Sequence, residues 1–232
     1  MLVALRQHAW VWAAVAAWVL APSAGRAGFV TYQVTFPDTT SLKNQPGQGP
    51  YYLDFQFTDG GGPGDANNTV VISHLALGGG ALVGAGAPSG GVTGDLSSAV
   101  TMTDSAFFNE FSQQFTPGSS LAFQVSLSQT IGPGEDSASG GTPDEFSFAI
   151  LHGAARDEIA TTNFNDAFVT IDVTSPSLTV TPAGSAAGSG FDVPAPSVVP
   201  SAAAAPEPAA LWLFALGAGG LGALRWPRGR AS

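Results

Sequence analysis

The sequence contains no cysteine, so disulfide bridges, zinc ribbons, thiol nucleophiles and cysteine-ligated iron–sulfur clusters are excluded. It also has little charge: 10% of the 232 residues are charged, and 7 Lys and Arg stand against 17 Asp and Glu. The formal net charge of -10 argues against nucleic acid as a partner, because a surface that binds phosphates needs Lys and Arg. With 30 Gly and 17 Pro, the composition is atypical of a helical bundle.

The chain begins with a pattern typical of a secretory signal peptide, residues 1–27. Arg6 gives a positive start, residues 9–20 are apolar, and small residues lead to Ala27, after which we expect cleavage. The apolar run covers about 18 Å as a helix, well short of a hydrocarbon core about 30 Å thick. Retention as an N-terminal membrane anchor is therefore the weaker interpretation.

A second apolar run, residues 209–224, lies near the C-terminus and contains no charged residue. It spans about 24 Å as a helix, which is short for a membrane span but workable in a locally thinned bilayer. Arg225, Arg228 and Arg230 follow it, and this positive tail predicts a cytoplasmic C-terminus with residues 28–208 outside. The membrane is thus a predicted partner through residues 209–224.

A proline-flanked glutamate stands directly before this apolar run, as Pro206, Glu207 and Pro208. The order of this tripeptide, a short apolar helix and an arginine-rich end, in a chain with a signal peptide, resembles the PEP-CTERM sorting signal. The resemblance implies an exosortase as partner, retention at the inner membrane of a Gram-negative bacterium, and processing near the tripeptide. Delivery to the cell surface or the extracellular space would follow. An ordinary single-pass anchor is the alternative.

Between the two ends, apolar and polar residues alternate with a period of two. Such alternation indicates half-buried antiparallel strands, with one face in the core and the other in water. Eight strands separated by Gly- and Pro-rich turns predict an all-β fold for residues 28–183, a single antiparallel β-sandwich of jelly-roll type. The alternation is clear in residues 30–36, 52–57, 121–127, 146–150 and 169–173, and weaker in residues 69–77, 99–103 and 177–181.

Other segments have a composition or spacing that points away from regular strands. Residues 184–205 contain Pro194, Pro196 and Pro200 and are predicted to form an extended linker that holds the domain off the membrane. Loops are predicted where Gly, Pro, Ser and Ala dominate, in residues 60–68, 78–94 and 132–143. Residues 104–115 are predicted to form either a short helix or an irregular strand, because phenylalanines recur there at spacings of three and four: Phe107, Phe108, Phe111 and Phe115.

An acidic, glycine-rich turn follows the second predicted strand. Asp59, Asp65 and Asn67 offer oxygen ligands of the kind that calcium uses, which makes them candidate metal ligands. The spacing does not match an EF-hand loop, because Gly and Pro fill the gap between the two aspartates and no Glu closes it. A polar hairpin turn with no cofactor is the simpler interpretation. A second acidic group is interpreted as a source of solubility: Glu135, Asp136, Asp144 and Glu145.

Aromatic residues that stack on sugar rings are few in the central region. Trp is absent from residues 28–205, and Tyr51 with Tyr52, beside Pro50, is the one aromatic pair that we expect to be exposed. These two tyrosines are therefore the candidate residues for binding an extracellular polysaccharide.

Motifs of the common hydrolases are missing: the sequence contains no GxSxG, Ser-x-x-Lys or HExxH. His74 and His152, and separately the carboxylates of Asp54 and Asp172, remain as weak candidates for hydrolytic catalysis. We therefore expect a non-enzymatic exported protein of the cell surface or extracellular matrix. The alternatives are a carbohydrate-binding module stabilised by calcium and a secreted hydrolase.

Overall fold

The computed structural model describes residues 28–45, 47–61, 67–132, 134–135, 140–173 and 178–201. The predicted signal peptide, the sorting tripeptide at residues 206–208, the apolar run and the tail arginines lie outside these ranges. Within them, no helix is both long enough and apolar enough to cross a membrane.

The described residues form fourteen strands and one short helix. The helix, α1, spans Thr40–Lys43. The strands are β1 (Val30–Phe36), β2 (Tyr51–Thr58), β3 (Thr69–Ala76), β4 (Ala81–Leu82), β5 (Ala87–Ser89), β6 (Val92–Asp95), β7 (Ala99–Thr103), β8 (Phe108–Thr116), β9 (Leu121–Leu127), β10 (Glu145–His152), β11 (Asp157–Glu158), β12 (Val169–Asp172), β13 (Thr179–Pro182) and β14 (Ser197–Pro200).

The strands form two antiparallel sheets, which confirms the prediction of an all-β fold. Sheet A has the order β14-β1-β9-β3-β7-β6. Sheet B has the order β13-β12-β10-β2-β8-β4, with β11 paired to β10 and β5 paired to β8. Neighbours in a sheet are mostly distant in sequence, so long-range pairing defines the fold.

Aromatic rings from the two sheets meet between them. Phe123 of sheet A lies 5.3 Å from Phe55 and 4.9 Å from Phe148, both of sheet B, between ring centroids. Phe36 of sheet A lies 5.7 Å from Phe148. All four rings are fully buried. Such pairs contribute about 0.5–1.5 kcal/mol each beyond area burial, so this phenylalanine cluster holds the sheets face to face.

Strands β1 and β9 show why the period-two predictions succeed. They pair over seven positions, from Val30 opposite Leu127 to Phe36 opposite Leu121, with their apolar residues directed into the core. A shift of one residue would turn every apolar side chain to the solvent, so the pattern specifies the register as well as the strand.

The phenylalanine-rich segment 104–115 forms a strand rather than a helix. Strand β8 pairs with β2 over eight positions, from Tyr51 opposite Phe115 to Thr58 opposite Phe108. Phe111 and Phe115 face the core and are buried. A spacing of four places two residues on one face of either a helix or a strand, so that spacing alone did not distinguish them.

A segment that was predicted to be a loop contains short strands. The predicted loop 78–94 includes β4, β5 and most of β6, all short strands that pair along the β8 edge of sheet B or the β7 edge of sheet A. Their Gly- and Pro-rich composition hid them, because pairing to an edge demands few apolar residues.

The linker predicted for residues 184–205 is wrong for its first part. Val193 is 1% exposed, β14 pairs with β1 over four positions, and the Ser201 amide donates to the Thr31 carbonyl at 2.7 Å. The folded domain therefore extends to Ser201. Proline is tolerated here because β14 is an edge strand of sheet A, where a missing N–H breaks no inner ladder.

Candidate functional site

Three buried carboxylates converge beyond one end of sheet B. Asp59 follows β2, Asp144 precedes β10, and Glu135 comes from the β9–β10 loop. Each offers an oxygen within 4.8 Å of those of the other two, and all three are buried. The register explains the first contact, because Thr58 pairs with Glu145 and the next residues outward, Asp59 and Asp144, therefore lie opposite each other. We call these three residues the acidic cluster.

Hydrogen bonds fix Asp144 in the acidic cluster. Its Oδ1 accepts from the Gly60 amide at 2.9 Å, and its Oδ2 accepts from Asn68 Nδ2 at 2.9 Å. The Asn68 side chain is itself fixed, since its Oδ1 accepts two hydrogen bonds, from Ser128 Oγ at 2.8 Å and from the backbone N–H of Thr130 at 3.0 Å. The Asp144 carboxylate is thus held by two groups of the β2–β3 loop, one of which is anchored in turn to the β9–β10 loop.

The other two carboxylates are also anchored. Asn67 Nδ2 donates to both oxygens of Glu135, at 3.2 and 3.1 Å, and the Gly132 amide donates to Glu135 as well. Asp59 Oδ1 accepts from the Gly61 amide at 3.1 Å. The cluster is therefore a set of positioned oxygens rather than a group of solvated side chains.

Negative charge accumulates around the acidic cluster. Burial raises the pKa of Asp144, hydrogen bonds from Gly60 and Asn68 oppose the rise, and the charges of Asp104 and Asp59 add to it. Asp104 is buried, and its Oδ2 accepts a hydrogen bond from the backbone N–H of Asn68 at 2.7 Å. Such an arrangement favours either a retained proton or a bound cation, because isolated buried carboxylates are costly.

The structure joins two groups that sequence reasoning kept apart. Asp59 and Asn67, predicted as calcium ligands, lie with Glu135 and Asp144, which were interpreted as a source of solubility. Asp65, the third predicted ligand, and Asp136 lie outside the described residues. The missing signal was the β2–β10 pairing, since nothing in the local sequence states which strands are neighbours.

The tyrosine pair does not form an exposed platform. Tyr51 is 5% exposed and packs in the core, with ring centroids 6.4 Å from both Phe115 and Phe191. Tyr52 points to the outer face of sheet B, where the Arg156 guanidinium lies 4.4 Å from its ring centroid. Adjacent residues of a strand face opposite sides, so Tyr51 and Tyr52 cannot share one surface.

The weak catalytic candidates are separated. His74 is exposed on β3 of sheet A, and His152 ends β10 in sheet B, where its ring lies 4.9 Å from that of Phe191. Asp54 stands opposite Ala149 of β10, whereas Asp172 stands opposite Glu145, which lies four residues earlier in that strand. Neither pair is therefore brought together.

Each of those two aspartates has a different acidic neighbour on the outer face of sheet B. Asp172 stands opposite Glu145, and burial raises the pKa of Glu145 while the charge of Asp172 adds to that rise. The carboxyl of Asp54 interacts with that of Glu110. These contacts define two carboxyl pairs that alternation alone did not reveal.

The sequence matches no family model, and comparison with curated proteins and with solved structures gives no significant match. Function is therefore inferred from the residues themselves.

Proposed function

We propose that this protein is exported, retained at the inner membrane by its C-terminal segment, and processed by an exosortase for delivery to the cell surface or extracellular matrix. Its role there is non-enzymatic, and a jelly-roll-like β-sandwich is the delivered domain. The observation that carries the proposal is the order of Pro206, Glu207 and Pro208, the apolar run 209–224 and the tail arginines, in a chain that opens with a signal peptide.

The position of the domain's end supports this proposal. Sheet A closes at β14 and the backbone bond from Ser201, so residues 202–205 alone separate the fold from Pro206. The predicted sorting segment therefore follows the folded domain in sequence after a spacer of four residues. The charge also fits an exported domain, since Lys43 and Arg156 are the only Lys or Arg between residues 28 and 205. An acidic surface favours solubility and repels anionic lipid.

Processing in matched hosts tests the proposal. The full chain is produced in a bacterium that has an exosortase and in the same strain with that gene deleted, and the mature product is measured by intact mass and by cell fractionation. We expect a product with both ends shortened only in the first strain. Replacing Pro206, Glu207 and Pro208 together with Ala blocks C-terminal processing, whereas Pro194→Ala, an exposed proline of the domain, leaves it intact. Identical products in the two strains would overturn the proposal.

A second proposal concerns the acidic cluster: we infer that it binds calcium and thereby stabilises the domain. The support is the burial of three carboxylates whose oxygens lie within 4.8 Å of one another, together with hydrogen bonds that fix them. Calcium prefers carboxylate and amide oxygens, and Asp59, Glu135 and Asp144 would supply the charged ones. Calcium titration of the unfolding temperature tests this proposal.

A further inference from the structure

A groove of about 620 Å³ opens at the rim of sheet B, beside the outer-face pair Glu145 and Asp172. Thr58, Glu145 and Asp172 stand side by side on β2, β10 and β12, and they point outward because their neighbours Phe57, Phe146 and Ile171 fill the core. The volume falls within the range of small-molecule binding sites. Asp59 of the acidic cluster and Gly60, whose amide donates to Asp144, also line the groove, so the groove adjoins that cluster.

The floor of the groove carries polar side chains that can form hydrogen bonds with a ligand. Glu145 and Asp172 line the floor together with Thr58 and Thr142, which adds hydroxyl groups to the carboxyls. Glu145 and Asp172 stand directly opposite each other on β10 and β12, so their carboxyls lie together on this face. Asn165 Nδ2 holds Glu145 by donating to its Oε1 at 3.0 Å. The pair therefore presents positioned carboxyl oxygens to the hydroxyls of a ligand.

One wall of the groove is an exposed aromatic ring. Phe107 lines the groove and is 58% exposed, and the Asp59 amide fixes its backbone by donating to its carbonyl at 2.9 Å. Its neighbour Phe108 is also exposed, and Phe164, which precedes Asn165, is fully exposed. Most of the described phenylalanines are buried, so an exposed ring in the wall of a groove indicates a contact surface.

The charge of the groove narrows the chemical class of its ligand. Among the described residues that line it, none is Lys, Arg or His, and three are Asp or Glu. An anionic ligand would be repelled. A purely apolar ligand would leave the carboxyl pair without partners. A neutral ring with one apolar face and a rim of hydroxyls satisfies both the aromatic wall and the polar floor.

We propose that this groove binds a neutral sugar unit of an extracellular polysaccharide, with Phe107 packed on the apolar face of the sugar ring and Glu145 and Asp172 bonded to its hydroxyls. The biological role of this site rests on the export proposal, since the polysaccharide lies outside the cell. The binding itself does not depend on exosortase processing. A failure of sorting and a failure of binding are therefore measured separately.

Affinity electrophoresis tests the proposal. The full chain is purified in lauryldimethylamine oxide, a detergent without a sugar head group, and run through gels that contain dextran, galactomannan or mixed-linkage β-glucan, all neutral. We expect retardation in at least one of these gels. Phe107→Ala and Glu145→Gln should each weaken the binding at least tenfold, while Phe29→Ala, which removes a 48% exposed ring elsewhere, leaves it unchanged.

Two further measurements make the result decisive. Thermal unfolding of each variant shows that the fold is retained, and a repeat in EDTA separates sugar binding from cation binding. Retardation that persists in EDTA and is lost in Phe107→Ala supports the proposal. Unretarded migration in all three gels, equal retardation of Phe107→Ala, or retardation that requires calcium and ignores Phe107 overturns it.

Discussion

The side-chain amide of Gln56 donates a 2.6 Å hydrogen bond to Asp54 Oδ2 on the outer face of sheet B. Asp54 is 2% exposed there. Burial raises the pKa of Asp54 to about 7, against the effect of the Gln56 bond, and the charges of Glu110 and Glu158 add to the rise. The domain thus carries an aspartic acid that holds its proton across the mildly acidic range.

Stability should therefore fall as this proton is lost. The pKa of the Asp54 carboxyl is 3.8 in the unfolded chain and about 7 in the folded one. The stability that the protonated carboxyl adds to the folded state is therefore fully present below pH 4 and is lost as the pH rises to about 7. A shift of this size corresponds to about 4 kcal/mol at most. Relative to the wild type, Asp54→Asn should be more stable in urea at pH 8 and similar at pH 4.

Asp95→Asn is the matched control for that experiment. Hydrogen bonds from Ser97 lower the pKa of the exposed Asp95, so this variant gains no stability at high pH. An identical pH dependence in Asp54→Asn and the wild type would contradict the assignment of the raised pKa.

Calcium should raise the unfolding temperature of the wild-type chain through the acidic cluster. At a concentration 100 times the dissociation constant, binding to the folded state adds about 2.7 kcal/mol, or roughly 5–10 °C for a domain of this size. Glu135→Gln and Asp144→Asn should lose this response, whereas Asp95→Asn keeps it. Calorimetry with and without calcium measures the shift, and an equal shift in all four proteins would refute a site at this cluster.

Val193 should behave as a core residue although it lies in a proline-rich segment. Because it is 1% exposed, Val193→Ala should lower the free energy of unfolding by about 2 kcal/mol. Val199→Ala removes the same atoms from a side chain that is 50% exposed, and it should change the free energy of unfolding by less than about 0.5 kcal/mol. Equal effects in denaturant unfolding would argue that residues 184–201 are a linker after all.

Phe148 should be among the most sensitive positions in the domain. Its ring contacts Phe36, Phe55 and Phe123, so Phe148→Ala leaves a cavity between the sheets and should cost about 3–5 kcal/mol. Phe164→Ala removes a ring that is fully exposed and should have little effect on stability. The midpoint of urea unfolding measures both, and a small loss in Phe148→Ala would mean that the sheets do not depend on this cluster.

Sequence patterns identified the long strands because one side of each is buried. In β1 and β9 the alternation reflects the core directly, so the predicted and observed bounds agree. In β14 and in β5 this link is missing, since edge strands bury little and tolerate Pro and Gly. The sequence there resembles a linker or a loop, and only the pairing partners distinguish a strand.

The candidate sites were predictable only where their residues are close in sequence. Asp59 and Asn67 belong to one turn, and their chemistry was visible as a candidate metal loop. Glu135 and Asp144 join them through the pairing of β2 with β10, which local sequence does not encode. The groove at Glu145 and Asp172 likewise arises from register across three strands.

Strands β1 and β14 are antiparallel neighbours, so the chain enters and leaves the domain at the same end of sheet A, with Ser201 bonded to Thr31. A polypeptide tethered to one bilayer through both extremities can therefore fold without passing either tether across its body. Under the proposed export route, removal of the leader would leave the domain attached through its C-terminal segment alone. A force that separated the two ends of the domain would break the hydrogen bonds between β1 and β14 one after another, beginning with the bond from Ser201 to Thr31.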